Sequence, residues 1–277
     1  MVNNMEQDNF SVEDFLRKIQ IDSSGSCEYE STEKALDSYL TYDCFDKNGW
    51  NKQKEGNKYY LKNDDEKHIL LTADIITSIT KPLLLSGMKN TTGQRIFGKN
   101  VRDWIESDFN DSFGLTLQTD NEKLKKSIKA FANVYYTIGN MMPVACNYRP
   151  GRGFRDHWNA KLCCIKNCFQ HKTNIDVNII DKRIFRLGQN RGWPVWIQRE
   201  WEEKTFKHFV KEYYLEDMVD DNGDIKPIGK LDESWFETNA KLIIQRGYRI
   251  IYKKHGSFEK QDKENLKLVY EKLLMLE

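Results

Sequence analysis

Residues 233–253 and 258–275 carry apolar side chains at three- and four-residue spacing, Ile243, Ile244, Ile250 and Ile251 in the first and Leu266, Val269, Leu273 and Leu274 in the second. A period near 3.6 predicts two amphipathic helices, and each must bury its apolar stripe against another element. The pattern returns upstream. Leu124, Ile128, Phe131, Val134 and Tyr135 predict a helix that Asp120 caps and that Gly139 and Asn140 end. Another helix is expected from about Asp156, with Trp158, Leu162, Ile165 and Phe169, and a further one over 175–187. One long helix is expected over 196–218, closed by the turn Asp221-Asn222-Gly223-Asp224.

The N-terminal half reads differently. Ser11 with Asp14 has the spacing of a capping box, and Phe15, Ile19 and Ile21 support a helix over 12–20. Residues 22–54, rich in Ser, Gly, Asp and Asn, read as irregular chain. Tyr59-Tyr60-Leu61 and His68-Ile69-Leu70-Leu71 flank the polar run Lys62-Asn63-Asp64-Asp65, which predicts an antiparallel hairpin. Asp74 is placed as the cap of a short helix ending before Pro82. The expected fold is α+β and predominantly helical: a C-terminal helical bundle with a small N-terminal antiparallel sheet. One globular domain over 1–277 is expected, because no repeat or low-complexity linker marks a boundary. Only the change of character near residue 115, between a mixed 1–115 and a helical 116–277, would divide it.

Composition bounds the class. An aromatic content of 12% beside 31% charged residues is that of a folding chain, not a disordered one. No run approaches the roughly 20 apolar residues of a membrane helix, and Met1–Phe10 is polar and acidic where a secretory signal would be basic and then apolar. Six irregularly spaced cysteines, two of them adjacent at Cys163 and Cys164, read as reduced thiols. The expectation is a soluble cytoplasmic protein with no membrane partner, so the glycosylation patterns at Asn90 and Asn110 carry no meaning.

Net charge is only +1, but it is unevenly spread. Residues 140–200 hold 11 Lys and Arg against 4 Asp and Glu, while both flanks are slightly acidic. Within that basic stretch lies the segment from Asn140 to His157. Arg149, Arg152 and Arg155 fall at intervals of three, with Gly151 and Gly153 between them. Glycine admits backbone turns that aim successive N–H groups at one point, and guanidinium forks bind phosphate or carboxylate through paired donors. A helix beginning near Asp156 would add its dipole. The candidate ligand-binding set is therefore Asn140, Arg149, Arg152, Arg155, Asp156 and Arg191, with a nucleotide or a nucleic-acid backbone as partner. The other reading stays open: the arginines pin a long loop onto neighbouring carboxylates, and the chain is a protein–protein interaction or regulatory module.

Tyr136-Thr137-Ile138-Gly139-Asn140, Pro143, Arg152-Gly153 and Asp156-x-Trp158 with Leu162 resemble a bacterial protein family marked by a TIGN…P…RG…D-W-x-x-x-L pattern. The likeness covers about 30 residues and implies no activity. Arg152 and His157 also match the R-x4-H spacing of HEPN-type metal-free ribonucleases, which makes the pair a candidate catalytic set and an enzyme a third reading. In that resemblance the pair sits within a helix, and Gly153 works against one here.

Cys164, Cys168 and His171 share one helical face, and Cys146 would complete a zinc set. No tight two-cysteine knuckle is present, so the cysteines read as small hydrophobes, and neither metal nor cofactor is expected. Trp193, Trp196, Trp201, Phe206, Phe209, Tyr213 and Tyr214 form a dense aromatic load, read as core rather than as a stacking surface for bases. His68, His208 and His255 show no partner pattern. There is no P-loop, dinucleotide fingerprint, nucleophile elbow, HExxH or kinase signature.

Overall fold

A computed structural model describes residues 10–20, 33, 35–38, 50–55, 58–63, 70–77, 122–145, 160–170, 197, 201, 203–225 and 233–276. Helix α1 spans Val12–Ile19, and the Ser11 hydroxyl accepts from the Asp14 N–H at 3.2 Å. Strands β1 (Trp50–Glu55), β2 (Lys58–Asn63) and β3 (Leu70–Ile75) follow, then helix α2 (Glu122–Tyr135) and strand β4 (Met141–Ala145). Helix α3 covers Ala160–Gln170, α4 Phe206–Glu212, α5 Glu233–Tyr252 and α6 Lys260–Met275, with a 3-10 turn at Glu216–Met218 between α4 and α5.

The four strands form one antiparallel sheet in the order β1-β2-β3-β4. Leu61 faces Leu71 across the β2–β3 pairing, and both are fully buried. The sheet is not confined to the N-terminal half. Its last strand is Met141–Ala145, part of a stretch expected to be loop, and it pairs with β3 from Ile75↔Met141 to Leu71↔Ala145. Asp74, expected to cap a helix, stands instead inside β3 opposite Met142. The physical reason is that Met141, Met142 and Val144 are buried, and a long-range strand partner covers them better than a local helix would.

Helix α5 is the centre of the bundle. Its buried positions Trp235, Phe236, Ala240, Ile243, Ile244 and Ile250 meet α2 on one side and α6 on another, while α1 crosses both α5 and α6. Phe131 of α2 lies 5.3 Å from the Trp235 ring and edge-on to Phe236. Burying an aromatic of this kind contributes about 3 kcal/mol or more through apolar area and ring contacts. At the other end Phe10, Phe15, Tyr248 and Tyr252 form a second ring cluster that seats α1 on α5.

The expected long helix over 196–218 is broken. Thr205 starts α4 with a capping box in which its hydroxyl accepts from the His208 N–H and the His208 ring accepts from the Thr205 N–H at 3.1 Å. Helix α4 ends at Glu212, and Tyr214, two residues further on, takes a left-handed conformation (φ 55°). The aromatic stripe is nonetheless core in its described part. Trp201, Phe209 and Tyr213 are buried with Phe169 of α3, and the Phe209 and Tyr213 rings stack at 4.2 Å. The acidic turn behaves as expected: Asp220 accepts from the Asn222 and Asp224 N–H groups, and Gly223 has a φ of 76°.

Candidate functional site

Chain leaving α2 makes a tight turn before β4, and that turn holds Tyr136 to Asn140, the first of the residues that carry the family likeness. Thr137 donates its hydroxyl to the Val134 carbonyl at 2.8 Å, closing the last turn of α2. The Ile138 N–H reaches the Ile19 carbonyl at the end of α1. Gly139 lies so close to α5 that a methyl in place of its hydrogen would overlap the Ile243 carbonyl, with the Gly247 nitrogen 3.1 Å away. Only glycine lets the two backbones approach to this degree.

Asn140, expected to contact ligand, is fully buried and its amide is occupied by the fold. Its Oδ1 accepts from the Thr77 N–H at 2.9 Å, and its Nδ2 donates to the Thr77 carbonyl at 3.1 Å and the Tyr135 carbonyl at 2.9 Å. Both donors of this buried amide and one of its two acceptor positions are taken by the backbone. Asn140 thus joins the end of β3 to the end of α2, a structural role where a ligand contact was expected.

Arg246 completes the arrangement from α5. Its side chain is 2% exposed, and it donates to four carbonyls: Nε to Tyr213 at 3.0 Å, and Nη1 to Ile138 at 2.8 Å, Gly139 at 3.0 Å and Met141 at 2.6 Å. One guanidinium thus ties the turn before β4, the end of α4 and the centre of α5 together. No motif in the sequence marks it. A signal was present, because Arg246 sits on the same helical face as Ile243 and Ile250, where a charge needs a buried partner.

Arg149, Arg152, Arg155, Asp156, His157 and Arg191 lie outside the described residues, as do Cys146 and His171. Cys168 is buried on α3 beside Phe169. Among the described residues no group of three or more His, Cys, Asp or Glu side chains is arranged to hold a metal. Also among them, no helix is long and apolar enough to cross a membrane.

A second polar cluster clasps the α5–α6 turn. Arg249 grips Asp217 of the 3-10 turn with two bonds, 2.6 and 3.0 Å, and stacks 4.0 Å from the centre of the Phe258 ring. Burial opposes its charge, but the Asp217 carboxylate outweighs that and raises its pKa. His255 Nδ1 lies 2.7 Å from Glu216, and its ring stacks at 4.5 Å on Tyr214. Asp262 accepts from the Tyr248 hydroxyl at 2.9 Å, from Lys254 at 2.5 Å and from the Glu259 N–H at 3.1 Å. Burial pushes its carboxyl up, but the bonds from Lys254, Tyr248 and Glu259 win and hold it below the usual aspartate range. Burial drives the Tyr248 hydroxyl up to about 12. These groups answer one another, which makes the cluster a clasp on the fold.

No family model, no curated protein and no solved structure matches this chain.

Proposed function

We propose that the chain is a binding protein whose segment Arg149–Arg155 holds a phosphate-bearing ligand, a nucleotide or a nucleic-acid backbone, with Arg191 and Asp156 as further candidates. The observation that carries this reading is the concentration of charge: 11 cationic against 4 anionic residues over 140–200, in a chain whose net charge is +1. Anchoring of the preceding chain supports it. Strand β4, which leads into the segment, is paired to β3 and bonded through Met141 to Arg246. A basic segment that leaves from a fixed strand loses less conformational entropy when it closes on an anion.

Arg152→Ala separates this reading from the interaction-module alternative. For a ligand-holding arginine the change weakens binding of a nucleotide or oligonucleotide at least tenfold and leaves the melting temperature within a few degrees, as surface substitutions do. For an arginine that pins the loop on a buried carboxylate, the same change costs about 3–5 kcal/mol of stability. A parent protein that binds neither probe, together with a large loss of melting temperature in the variant, would discard the ligand reading.

A further inference from the structure

Helix α4 is capped in a way that ties its first turn to the charge of one side chain. A capping box ordinarily uses Glu or Gln at the third helical position to accept from the backbone N–H of the cap residue. Here the third position is His208. Its ring nitrogen Nδ1 accepts from the Thr205 N–H at 3.1 Å and lies 2.9 Å from the Thr205 hydroxyl. An imidazole nitrogen accepts only while it carries no proton, so this arrangement requires the neutral ring with its proton on Nε2. Protonation at Nδ1 sets N–H against N–H where the bond to Thr205 had been. The new Nδ1–H can donate to the Thr205 hydroxyl instead, but the Thr205 N–H loses its acceptor, and a cation then stands at the positive end of the helix dipole.

The two ends of α4 are held unequally. At the far end Phe209 and Val210 are buried, and the Tyr213 carbonyl accepts from the buried Arg246 at 3.0 Å. In the first turn Thr205, Lys207 and His208 are exposed, and Phe206 is half-buried against Phe169. A helix of seven residues has little stability of its own, so the first turn depends on its cap. The charged residues nearby are of other types. On α4 and the chain leading into it they are Glu203, Lys204, Lys207, Lys211 and Glu212, with Lys204 bonded to Glu212 at 3.1 Å. Helix α3 brings Lys166, which lies 5.9 Å from the centre of the Phe206 ring and bonds to Asp224, and α5 brings Arg246 at the opposite end. Among these residue types histidine is the one that ordinarily changes charge between about pH 5 and 8. The other histidine among the described residues, His255, sits beyond the 3-10 turn against Glu216.

We propose that His208 makes α4 an acid-sensitive latch: the neutral ring closes the first turn of the helix, and the protonated ring releases residues 205–208 while the Tyr213 end stays bound to α5. The test is backbone NMR of the full chain between about pH 7.5 and 5.5, the range in which histidine ordinarily titrates. The Thr205 amide resonance should move in step with the His208 ring resonances. Protection of the Phe209 amide, which bonds to the Thr205 carbonyl at 3.2 Å, should fall about fivefold on acidification once intrinsic exchange is corrected for, as loss of a helix cap implies. A parent whose Thr205 and Phe209 signals stay unchanged while the His208 ring titrates overturns the proposal. His208→Glu supplies the usual acceptor and should keep Phe209 protection flat across the range, whereas a fall equal to the parent's in this variant refutes the latch. His208→Gln serves the same purpose should the glutamate disturb the fold. His255→Gln is expected to retain the parent's response; its loss there would assign the effect to the contact with Glu216 and overturn the role of His208.

Discussion

Gly139 meets α5 where the Ile243 carbonyl leaves no room for a side chain. Replacing it with alanine must push α5 away from the turn, and the offended atoms are backbone that cannot rotate aside. Gly139→Ala is expected to destabilise the protein by about 3 kcal/mol or more, read as a lower denaturant midpoint at unchanged slope. Asp262 makes a different demand. Its carboxyl is held below the ordinary aspartate range in the folded chain, so the stability it contributes is present above the unfolded value near 3.8 and is lost as pH falls through the folded value. Acid titration of the folded state should show that loss below about pH 4, and Asp262→Asn should flatten the acid limb while costing about 1–3 kcal/mol at neutral pH. An acid limb identical in parent and variant would mean that Lys254 and Tyr248 do not favour the charged form.

Among the elements, α4 shows how little chain suffices when the cap is right. It is seven residues long, too short to persist alone, and stands because Thr205 and His208 close its first turn while Phe209 and Val210 bury its inner side. Thr205→Ala removes one half of the capping box and is expected to cost about 1 kcal/mol, visible as faster amide exchange at residues 207–209 with no change elsewhere. This boundary shows where periodicity stops being informative. Phe206, Phe209 and Tyr213 keep a helical spacing straight through the end of α4, because the rings pack on Phe169 and Trp201 whether or not the backbone continues as a helix. The helices with an outer polar face and an inner apolar stripe, α2, α5 and α6, were legible to within a few residues. Strand β4 was not, since Met141, Met142, Pro143 and Val144 have no alternation and acquire a strand partner only across more than 60 residues of sequence.

At the scale of the whole molecule, α1, β3, α2, α4 and α5 converge on one turn. Ile138 bonds to Ile19, Asn140 to Thr77, and Arg246 to Tyr213, Ile138, Gly139 and Met141. Contacts between such distant parts of the sequence argue for cooperative unfolding, and a single thermal transition followed both by near-ultraviolet and by far-ultraviolet circular dichroism is the expected outcome. Two transitions, or two protease-resistant fragments cut near residue 115 that fold separately, would refute it. By itself the amino-acid sequence determined the helical character of the C-terminal half, the α1 cap at Ser11, the Asp221–Asp224 turn and the concentration of positive charge in 140–200, because each depends on local spacing or on simple composition. Tertiary structure alone decided that Thr137, Ile138, Gly139 and Asn140 serve a backbone junction. Burial of an amide, the fit of a glycine against a helix and the partners of a guanidinium are set by neighbours that lie from 60 to more than 100 residues away in the chain.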